Sequence, residues 1–238
     1  MQNAKLKVVF LGTPDFVQPI KDNLAKHFTL VDTLEASDLA VVAAYGQILT
    51  SEQLNTPRYG CLNVHPSLLP KYRGPSPIQK AILNSELTTG ITIIKMDEEV
   101  DHGPIIFQVT LELSEADNFD ILSKKMFARA AEILPKLIEK FIKGEIKPVE
   151  QNHEIATYCE KLSRESGYFD INSPPSADAL HRMIRAYYPW PGVWTRWNNK
   201  IIKFLPDYMI QMEGKKAISL KDFLNGYPDF PIQNIYDL

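Results

Sequence analysis

A run of apolar residues from position 39 to position 45, ending at Gly46, constrains the fold more than any other feature of the sequence. A strand that is apolar on both faces is typical of a parallel sheet covered by helices on each side. Residues 7–11 form a second apolar run, and residues 14–26 after it show helical spacing of their apolar side chains. Strand, helix and strand in this order favour parallel pairing through right-handed crossovers. We therefore predict an α/β fold built on a Rossmann-like, mostly parallel sheet.

The same alternation of strands and helices continues through the larger part of the chain. Apolar and β-branched runs predict strands at residues 28–31, 61–64, 90–96 and 104–111, and short helices near 51–54 and 78–83. Residues 118–143 predict a long helix that stops at Gly144. Pro135 lies inside this helix and is expected to kink or divide it, because proline lacks the N–H that a helix interior needs.

A change in composition near residue 171 predicts a domain boundary. Residues 171–178 are rich in Ser, Pro and Asn, which is typical of a linker, and they also supply a cap for a helix at about 177–187. Two short strands are predicted at 193–197 and 201–205, joined by an Asn-Asn turn. The predicted organisation is a larger domain at 1–170, a linker at 171–178 and a small, mainly-β C-terminal domain at 179–238.

Composition and charge argue against several classes of protein. The net charge is −3 and the pI is about 6.0, so the chain as a whole has no electrostatic case for binding nucleic acid. Cys61 and Cys159 are far apart and form no zinc-type cluster with histidines, so we expect buried free thiols and no metal dependence. No apolar run approaches the roughly 18 residues of a transmembrane helix. The first residues lack the pattern of a secretory leader, so we expect a cytoplasmic protein.

Three polar side chains follow two neighbouring predicted strands. Asn63 and His65 are two positions apart at the end of one strand and therefore project to the same side of the sheet. Asp101 lies in the loop that leaves the next strand. Open α/β sheets place their ligand crevices at the carboxyl ends of parallel strands, so we expect these three side chains to converge there.

An amide, an imidazole and a carboxylate together suit acyl transfer to an amine without a covalent intermediate. Asn63 and a protonated His65 can hold the oxygen on which negative charge grows, and such donors are typically worth about 2.7–4 kcal/mol each. Asp101 can accept the proton lost by the amine, directly or through a water. Each residue also has a structural alternative. An Asn-x-His pair often ends a strand with satisfied side chains, and Asp before His-Gly favours a turn.

Two separated motifs resemble the signature of the 10-formyltetrahydrofolate-dependent formyltransferase family. Residues 63–70 are Asn-Val-His-Pro-Ser-Leu-Leu-Pro, followed by Lys-Tyr-Arg-Gly, and residues 92–103 contain a β-branched strand and end in Asp-His-Gly. The resemblance implies the formyltransferase fold, with a C-terminal domain that is OB-like but short. Further stretches that are similar to the methionyl-tRNA members of that family extend the resemblance through most of the chain; they lie at residues 11–16, 42–49, 156–162 and 184–191.

The resemblance implies a role for each site residue. Asn63, His65 and Asp101 would be catalytic, and 10-formyltetrahydrofolate would be the formyl donor, with no metal. Phe16 and Arg73 would lie beside the acceptor substrate, although Phe16 could equally be helix core and Arg73 could cap a loop. The folate would be held by one loop that follows the Asn-x-His strand and by the backbone of two others, namely Ser67, Leu68, Leu69, Pro70, Ala44, Tyr45, Gly46, Gln47, Ile48, Asp97 and Val100.

The implied acceptor is the amino group of methionyl-tRNA, but the chain departs from those enzymes at residues 30–38. There they carry a long segment with a basic, glycine-containing loop that meets the tRNA acceptor stem. Here the segment is short and acidic, and no Lys or Arg lies between Lys26 and Arg58. Because phosphate contacts need cations, two alternatives stay open: formylation of a small amine such as a nucleotide-linked amino sugar, and a folate-binding remnant without an acceptor site. The short segment would also expose apolar surface, so we expect a homodimer or a similar association.

Other enzyme classes fit the sequence less well. A Rossmann dinucleotide site needs Gly-x-Gly-x-x-Gly after the first strand, and Gly12-Thr-Pro-Asp-Phe does not supply it. Ser67 does not lie in the Gly-x-Ser-x-Gly elbow of a serine hydrolase. Hydrolysis of the formyl donor stays an alternative if water takes the place of the amine.

Overall fold

The computed structural model describes residues 5–232 of the 238-residue chain. Within them the chain divides into two compact units, each with its own sheet. The predicted linker at residues 171–178 lies within the second unit, and the predicted domain boundaries stay a prediction. The first unit consists of residues 5–77, 87–112 and 122–160, and the second of residues 78–86, 113–121 and 161–232.

The sheet of the first unit has six strands. They are β1 (Lys7–Leu11), β2 (Thr29–Val31), β3 (Leu39–Val42), β4 (Cys61–His65), β5 (Thr88–Lys95) and β6 (Ile105–Glu112). Their order is β2-β1-β3-β4-β5-β6; the first four are parallel, and β5 and β6 are antiparallel to their neighbours. The predicted Rossmann-like, mostly parallel sheet is confirmed.

β3 lies within the parallel part of this sheet, as its apolar sequence predicts. All four of its residues are buried, which is expected of a strand covered on both faces. Ala40 and Val42 share one face with Val9, and they pack there with Leu49 and Leu54. β3 pairs with β1 on one side and with β4 on the other.

The direction of β5 differs from the expectation behind the predicted site. Leu62 pairs with Lys95 and His65 with Thr92, so β5 leaves the sheet beside the beginning of β4. The assumption that β4 and β5 end at the same edge is therefore wrong. The chain turns back after β5 to bring Asp101 to Asn63. Strand direction depends on the path of the connection between two strands, which the residues of the strands do not reveal.

Four helices begin in the part of the chain that precedes residue 143. They are α1 (Gln18–His27), α2 (Ser51–Asn55), α3 (Pro77–Leu83) and α4 (Phe119–Ile142). The Thr50 side chain accepts from the Gln53 N–H while the Gln53 side chain accepts from the Thr50 N–H, a capping box that starts α2. Pro135 is buried inside α4, which continues for about two more turns, so proline does not divide this helix. Tertiary packing of its apolar stripe outweighs the hydrogen bond that proline cannot make. The predicted kink stays a prediction.

The second unit contains a small antiparallel sheet. Its turn between two strands has Asn198 at φ 48° and Asn199 at φ 61°, the left-handed pair that a tight hairpin requires. Ser176 caps the helix at 177–187 by accepting from the Ala179 N–H, as predicted. The elements are α5 (Ala177–Tyr187), β7 (Val193–Trp197), β8 (Lys200–Leu205), β9 (Met209–Met212), β10 (Ile218–Ser219) and α6 (Leu220–Gly226), with the strand order β10-β9-β8-β7.

A short connection joins β2 to β3. Residues 32–38 form bends and turns and cross from one side of β1 to the other. Leu34 from this connection packs, partly buried, against the cluster around β3. Leu11, Val31 and Tyr45, which pack against the same cluster, are also only partly buried.

Candidate active site

Asn63 and His65 project from the end of β4 to the same side of the sheet. They are two residues apart on the strand, so their side chains share a face. His65 is 3% exposed, while Asn63 is half-buried. β4 is held between β3 and β5, and this pairing fixes both side chains on regular structure rather than on a loop.

The loop between β5 and β6 brings Asp101 to these two residues. Its Oδ1 atom accepts a hydrogen bond from Asn63 Nδ2 at 3.0 Å and lies 3.4 Å from His65 Nδ1. Its Oδ2 atom accepts from the backbone N–H of Gly74 at 2.8 Å. The structure therefore brings together the three predicted catalytic side chains, which we call the Asn–His–Asp cluster.

Hydrogen bonding determines where His65 carries its protons. Nε2 lies 2.9 Å from the carbonyl oxygen of Tyr72, and because a carbonyl only accepts, Nε2 is the donor. Nδ1 faces the carboxylate of Asp101, with its Oδ1 atom 3.4 Å away.

Opposing effects act on the carboxyl group of Asp101. Burial alone would raise its pKa, because the charged form loses water. The imidazole of His65, the N–H of Gly74 and the guanidinium of Arg73 favour the charged form and outweigh burial. The pKa of Asp101 therefore lies below its ordinary value, and this side chain is an anion at neutral pH.

The predicted folate loop after β4 is shaped by its own hydrogen bonds. Ser67 is fully buried and its hydroxyl donates to the carbonyl of Lys71 at 2.6 Å. Thr92 on β5 donates to the Ser67 carbonyl at 2.6 Å and accepts from the Leu69 N–H at 3.1 Å. Leu69 is buried, whereas Leu68 and Pro70 are partly exposed. The loop has a defined shape, and its contact with folate stays a prediction.

The other two predicted folate segments expose much of their surface. In the segment after β3, Ala44 has φ 47° and Gly46 has φ 77°, so the backbone turns sharply; Ile48 is 83% exposed. Its remaining members are Tyr45, which is partly buried, and Gln47, which is exposed. In the segment after β5, Asp97 binds the His102 ring at 2.7 Å and Val100 is 56% exposed.

Phe16 and Arg73, predicted beside the acceptor, both pack against protein groups. The Phe16 ring stacks on Phe127 of α4 with centroids 5.2 Å apart. Arg73 is 2% exposed, and its Nη2 atom lies 2.8 Å from Gln151 Oε1 and 2.8 Å from His153 Nδ1. These contacts support the structural alternatives for both residues, and contact with an acceptor stays a prediction.

The motifs did not point to Gln151 or Gly103, which both shape this site. Gln151 donates to the Asp101 carbonyl at 2.9 Å and to the Gly103 carbonyl at 2.7 Å. A Cβ added at Gly103 would lie 1.9 Å from the Lys95 carbonyl oxygen, so only glycine fits this approach. The Asp-x-Gly spacing contains a signal for Gly103, whereas Gln151 lies 50 residues beyond Asp101 without a local pattern.

The described residues contain neither a metal-ion cluster nor a helix that could cross a membrane. Within residues 5–232, no three His, Cys, Asp or Glu side chains are grouped so that they could hold a metal ion. In the same part of the chain no helix has the length and apolar character needed to cross a membrane. Cys61 and Cys159 are buried and unpaired with each other, as predicted.

The sequence of the chain matches a known family and several named proteins. Formyl transferase matches residues 18–138, and the formyl transferase C-terminal domain matches residues 161–207. The chain is 39% identical over 188 residues to the methionyl-tRNA formyltransferase of Chloroflexus aurantiacus, covering 78% of this chain and 60% of that protein. It is 35% identical to the enzyme of the same name from Thermodesulfovibrio yellowstonii, covering 95% of this chain and 82% of that protein. The chain thus spans less than two thirds of the length of the Chloroflexus relative.

Solved structures share the fold at lower identity. HypX from Aquifex aeolicus in complex with tetrahydrofolic acid superposes with a TM-score of 0.74 at 16% identity, covering 95% of this chain and 48% of that one. A 4-N formyltransferase from Francisella tularensis gives a TM-score of 0.70 at 20% identity, covering 84% of this chain and 96% of that one. The family match over half of the chain and the 35% identity over nearly all of it agree with these folds: the chain belongs to the formyl transferase family.

Proposed function

We propose that this chain transfers a formyl group from 10-formyltetrahydrofolate to the amino group of methionyl-tRNA, the reaction that prepares the initiator tRNA for translation. The observation that carries the proposal is the meeting of Asn63 and His65 at one carboxylate: Asp101 Oδ1 lies 3.0 Å from Asn63 Nδ2 and 3.4 Å from His65 Nδ1. Two relatives named methionyl-tRNA formyltransferase support the choice of acceptor. A bound tetrahydrofolic acid in HypX supports the choice of donor.

In the proposed mechanism, the Asn–His–Asp cluster stabilises the addition of the amine to the formyl carbon. The amine nitrogen forms the new C–N bond as the formyl oxygen gains negative charge. Asn63 donates to that oxygen through the N–H that does not bond Asp101, and a protonated His65 donates from Nδ1 once the Asp101 carboxylate turns to the amine, while its Nε2–H stays with the Tyr72 carbonyl. Asp101 accepts the proton that the amine loses. The bond from the formyl carbon to N10 of the folate then breaks, and that proton returns to N10, so that tetrahydrofolate leaves.

The lowered pKa of Asp101 suits this role. An ionised carboxylate is ready to accept a proton at neutral pH, and its partner His65 faces it at 3.4 Å. Asp101→Asn keeps the size of the side chain and an oxygen that can accept from the Gly74 N–H. It removes the base, because an amide does not take up a proton at this pH. We expect turnover to fall by roughly 10²–10⁴-fold, while 10-formyltetrahydrofolate still binds.

We further propose that the pterin of the folate binds along main-chain groups of residues 44–48 and 97–100. The donor and acceptor edge of a pterin matches backbone N–H and C=O groups, and the turns at Ala44 and Gly46 leave this stretch of backbone at the surface. Ser67–Pro70 would line the same site.

A small amine, such as a nucleotide-linked amino sugar, is the second candidate acceptor. The connection at residues 32–38 is short, and no Lys or Arg lies between Lys26 and Arg58, so this region offers no cation to an RNA phosphate. The Francisella 4-N formyltransferase shares the fold. The chemistry at the Asn–His–Asp cluster would be the same for either amine.

The deciding experiment incubates the purified chain with 10-formyltetrahydrofolate and, in parallel, with methionyl-tRNA or a panel of nucleotide-linked amino sugars. Tetrahydrofolate release and acceptor mass are followed, with Asp101→Asn as the inactive control. Formylation of methionyl-tRNA is expected. Transfer only to sugars would assign the second acceptor, and release without any acceptor would indicate hydrolysis. Folate binding without turnover would mark a remnant enzyme.

We also propose that a second copy of this chain covers the apolar surface around the short connection. Leu11, Val31, Leu34 and Tyr45 are only partly buried there, and β2 is a three-residue strand at the edge of the sheet. Light scattering at micromolar concentration should give the mass of a dimer. A monomeric mass of the wild type would contradict this assembly, and so would a dimeric mass that Leu34→Asp leaves unchanged.

A further inference from the structure

The backbone of Asp101 is held in an uncommon conformation. Its φ of 51° lies in the left-handed region, which Asp tolerates better than most side chains but seldom adopts. Such conformations persist where the surrounding contacts over-determine them, and they are frequent at functional sites. The groups that hold the main chain of Asp101 therefore decide where its carboxylate lies.

Gln151 supplies these groups from far away in the sequence. Its Nε2 atom donates to the carbonyl oxygens of Asp101 at 2.9 Å and of Gly103 at 2.7 Å. Its side chain is buried, with 5% of the residue exposed. One side-chain amide thus makes two hydrogen bonds that hold the backbone at Asp101 and at Gly103.

Arg73 determines which way the Gln151 amide points. The Arg73 Nε and Nη2 atoms donate to Gln151 Oε1 at 3.3 and 2.8 Å. A guanidinium has only donors, so the amide oxygen must face it and the amide nitrogen must face the two carbonyls. The orientation of the amide follows from this network, and both side chains are nearly inaccessible to water.

The backbone at Arg73 and Gly74 also holds the carboxylate of Asp101. The N–H of Gly74 donates to Asp101 Oδ2 at 2.8 Å. The preceding residue is fixed by two backbone hydrogen bonds, from Arg73 N to Thr157 O and from Cys159 N to Arg73 O, each 2.8 Å long. Residues 73–74 therefore act on Asp101 in two ways. Gly74 binds its carboxylate directly, and Arg73 orients the Gln151 amide that binds its carbonyl.

We propose that Gln151 is a positioning residue for formyl transfer, which holds the main chain of Asp101 so that its carboxylate meets Asn63 and His65. The inference rests on the proposed function, because it assumes that Asp101 exchanges a proton with the substrates. Gln151 binds the main-chain carbonyl of Asp101 and not its carboxylate, so it acts on the reaction only through Asp101. It lies outside the regions at 18–138 and 161–207 that match the formyl transferase family.

Gln151→Glu tests this role with the least change in size. The glutamate keeps an oxygen for Arg73, but its other oxygen replaces Nε2 and is repelled by the carbonyls of Asp101 and Gly103. We expect kcat to fall on the order of 10²-fold, as for a displacement of about 1 Å at a reacting group. The KM for 10-formyltetrahydrofolate should stay within about twofold, since the loss arises in the transition state.

A change in the pH profile separates positioning from a loss of stability. In the variant the carboxylate moves away from His65 and the Gly74 N–H, which lower its pKa, so the acid limb of kcat should move to higher pH. The added carboxylate also raises the pKa of Asp101 by repulsion, and Arg73→Lys, which changes no charge, separates the two causes. Asn152→Ala is the matched control, because this neighbouring side chain is exposed and only caps a short turn at Glu154. It should leave kcat and the pH profile unchanged.

Arg73→Lys is the second variant and keeps the test open if Gln151→Glu does not fold. Lysine retains the charge but cannot make the forked contact with Gln151 Oε1, so kcat and the acid limb should shift in the same direction. An unshifted acid limb in the folded variants, or activity lost only in proportion to the folded fraction, would overturn the inference. If the wild-type chain transfers no formyl group to any acceptor, the proposed function fails; if the wild type is active and Asp101→Asn is inactive while Gln151→Glu is normal, only the role of Gln151 fails.

Discussion

At the scale of single residues, Asp101 shows how one carboxylate is kept charged inside a protein. Burial opposes its charge, and an imidazole, a backbone N–H and a guanidinium together overcome that effect. His65 depends on the same arrangement, because its Nε2 proton is committed to Tyr72 and its Nδ1 faces Asp101. The chemistry of each residue is therefore a property of the cluster.

The lowered pKa of Asp101 predicts a pH-dependent contribution to stability. A group whose folded pKa lies below its unfolded value, about 3.9 for Asp, stabilises the fold above that value and loses this effect as the pH falls through the folded pKa. The stabilising effect of the ionised Asp101 is measured as the difference in free energy of unfolding between the wild type and Asp101→Asn. This difference should be constant from neutral pH to about pH 5, and the advantage of the wild type should shrink below it. Urea unfolding at a series of pH values measures it; a difference independent of pH down to about 2 would contradict the assignment.

The two cysteines should be inert in the folded protein. Burial raises the pKa of Cys61 to about 11 and raises that of Cys159 as well, so few thiolates exist near neutral pH. We expect Ellman's reagent at pH 8 to modify neither thiol in native protein and both in guanidinium chloride. Rapid modification of the native protein would show that one of these thiols is accessible.

At the scale of elements, the turn between β5 and β6 is the feature that assembles the site. β5 runs antiparallel to β4, so the chain must reverse before Asp101 can reach Asn63. The reversal brings Gly103 against the backbone of Lys95. A turn this close to a strand leaves room for a hydrogen atom but not for a methyl group.

Gly103→Ala should therefore disturb both stability and catalysis. The added Cβ would meet the Lys95 carbonyl at 1.9 Å, and because the obstacle is backbone, the turn itself must move. We expect the free energy of unfolding to fall by about 1–3 kcal/mol, together with a loss of turnover. Gly226→Ala is the control, since nothing lies within 4 Å of the added atom there, and it should be neutral by thermal unfolding and by activity. Wild-type stability in Gly103→Ala would show that the turn accommodates a side chain.

At the scale of the whole molecule, the chain matches its relatives over different shares of their length. It spans 60% of the Chloroflexus relative but 82% of the Thermodesulfovibrio one, and both have the same name. Its net charge is −3, and its residues 27–57 contain no Lys or Arg. Any binding of tRNA must therefore use cations from other parts of the chain.

With methionyl-tRNA as the proposed acceptor, this charge distribution predicts that the KM for methionyl-tRNA depends only weakly on salt concentration. Each phosphate neutralised adds to the slope of log K against log salt concentration, so fewer phosphate contacts give a shallower slope. We expect KM for methionyl-tRNA to rise less steeply with salt than it does for the Chloroflexus enzyme, measured side by side between 50 and roughly 200 mM salt. An equal or steeper slope would mean that other basic residues replace the missing contacts.

Much of the fold could be predicted because the forces that determine it are local in sequence. The apolar run at 39–45 predicts a strand covered on both faces, and the two asparagines at 198 and 199 predict a hairpin turn that needs two positive φ angles. Asn63 and His65 share a side because strands alternate. The family resemblance could likewise be detected, since its motifs are contiguous stretches of sequence.

The tertiary structure alone decided how distant segments meet. The direction of β5, the continuity of α4 through Pro135 and the burial of Arg73 depend on packing partners that are far away along the chain. Gln151 reaches Asp101 across 50 residues, and hydrogen bonds over such separations follow no periodic pattern. Sequence determined which groups could do chemistry here, and long-range packing decided their orientation and charge, because both depend on what surrounds a side chain in space.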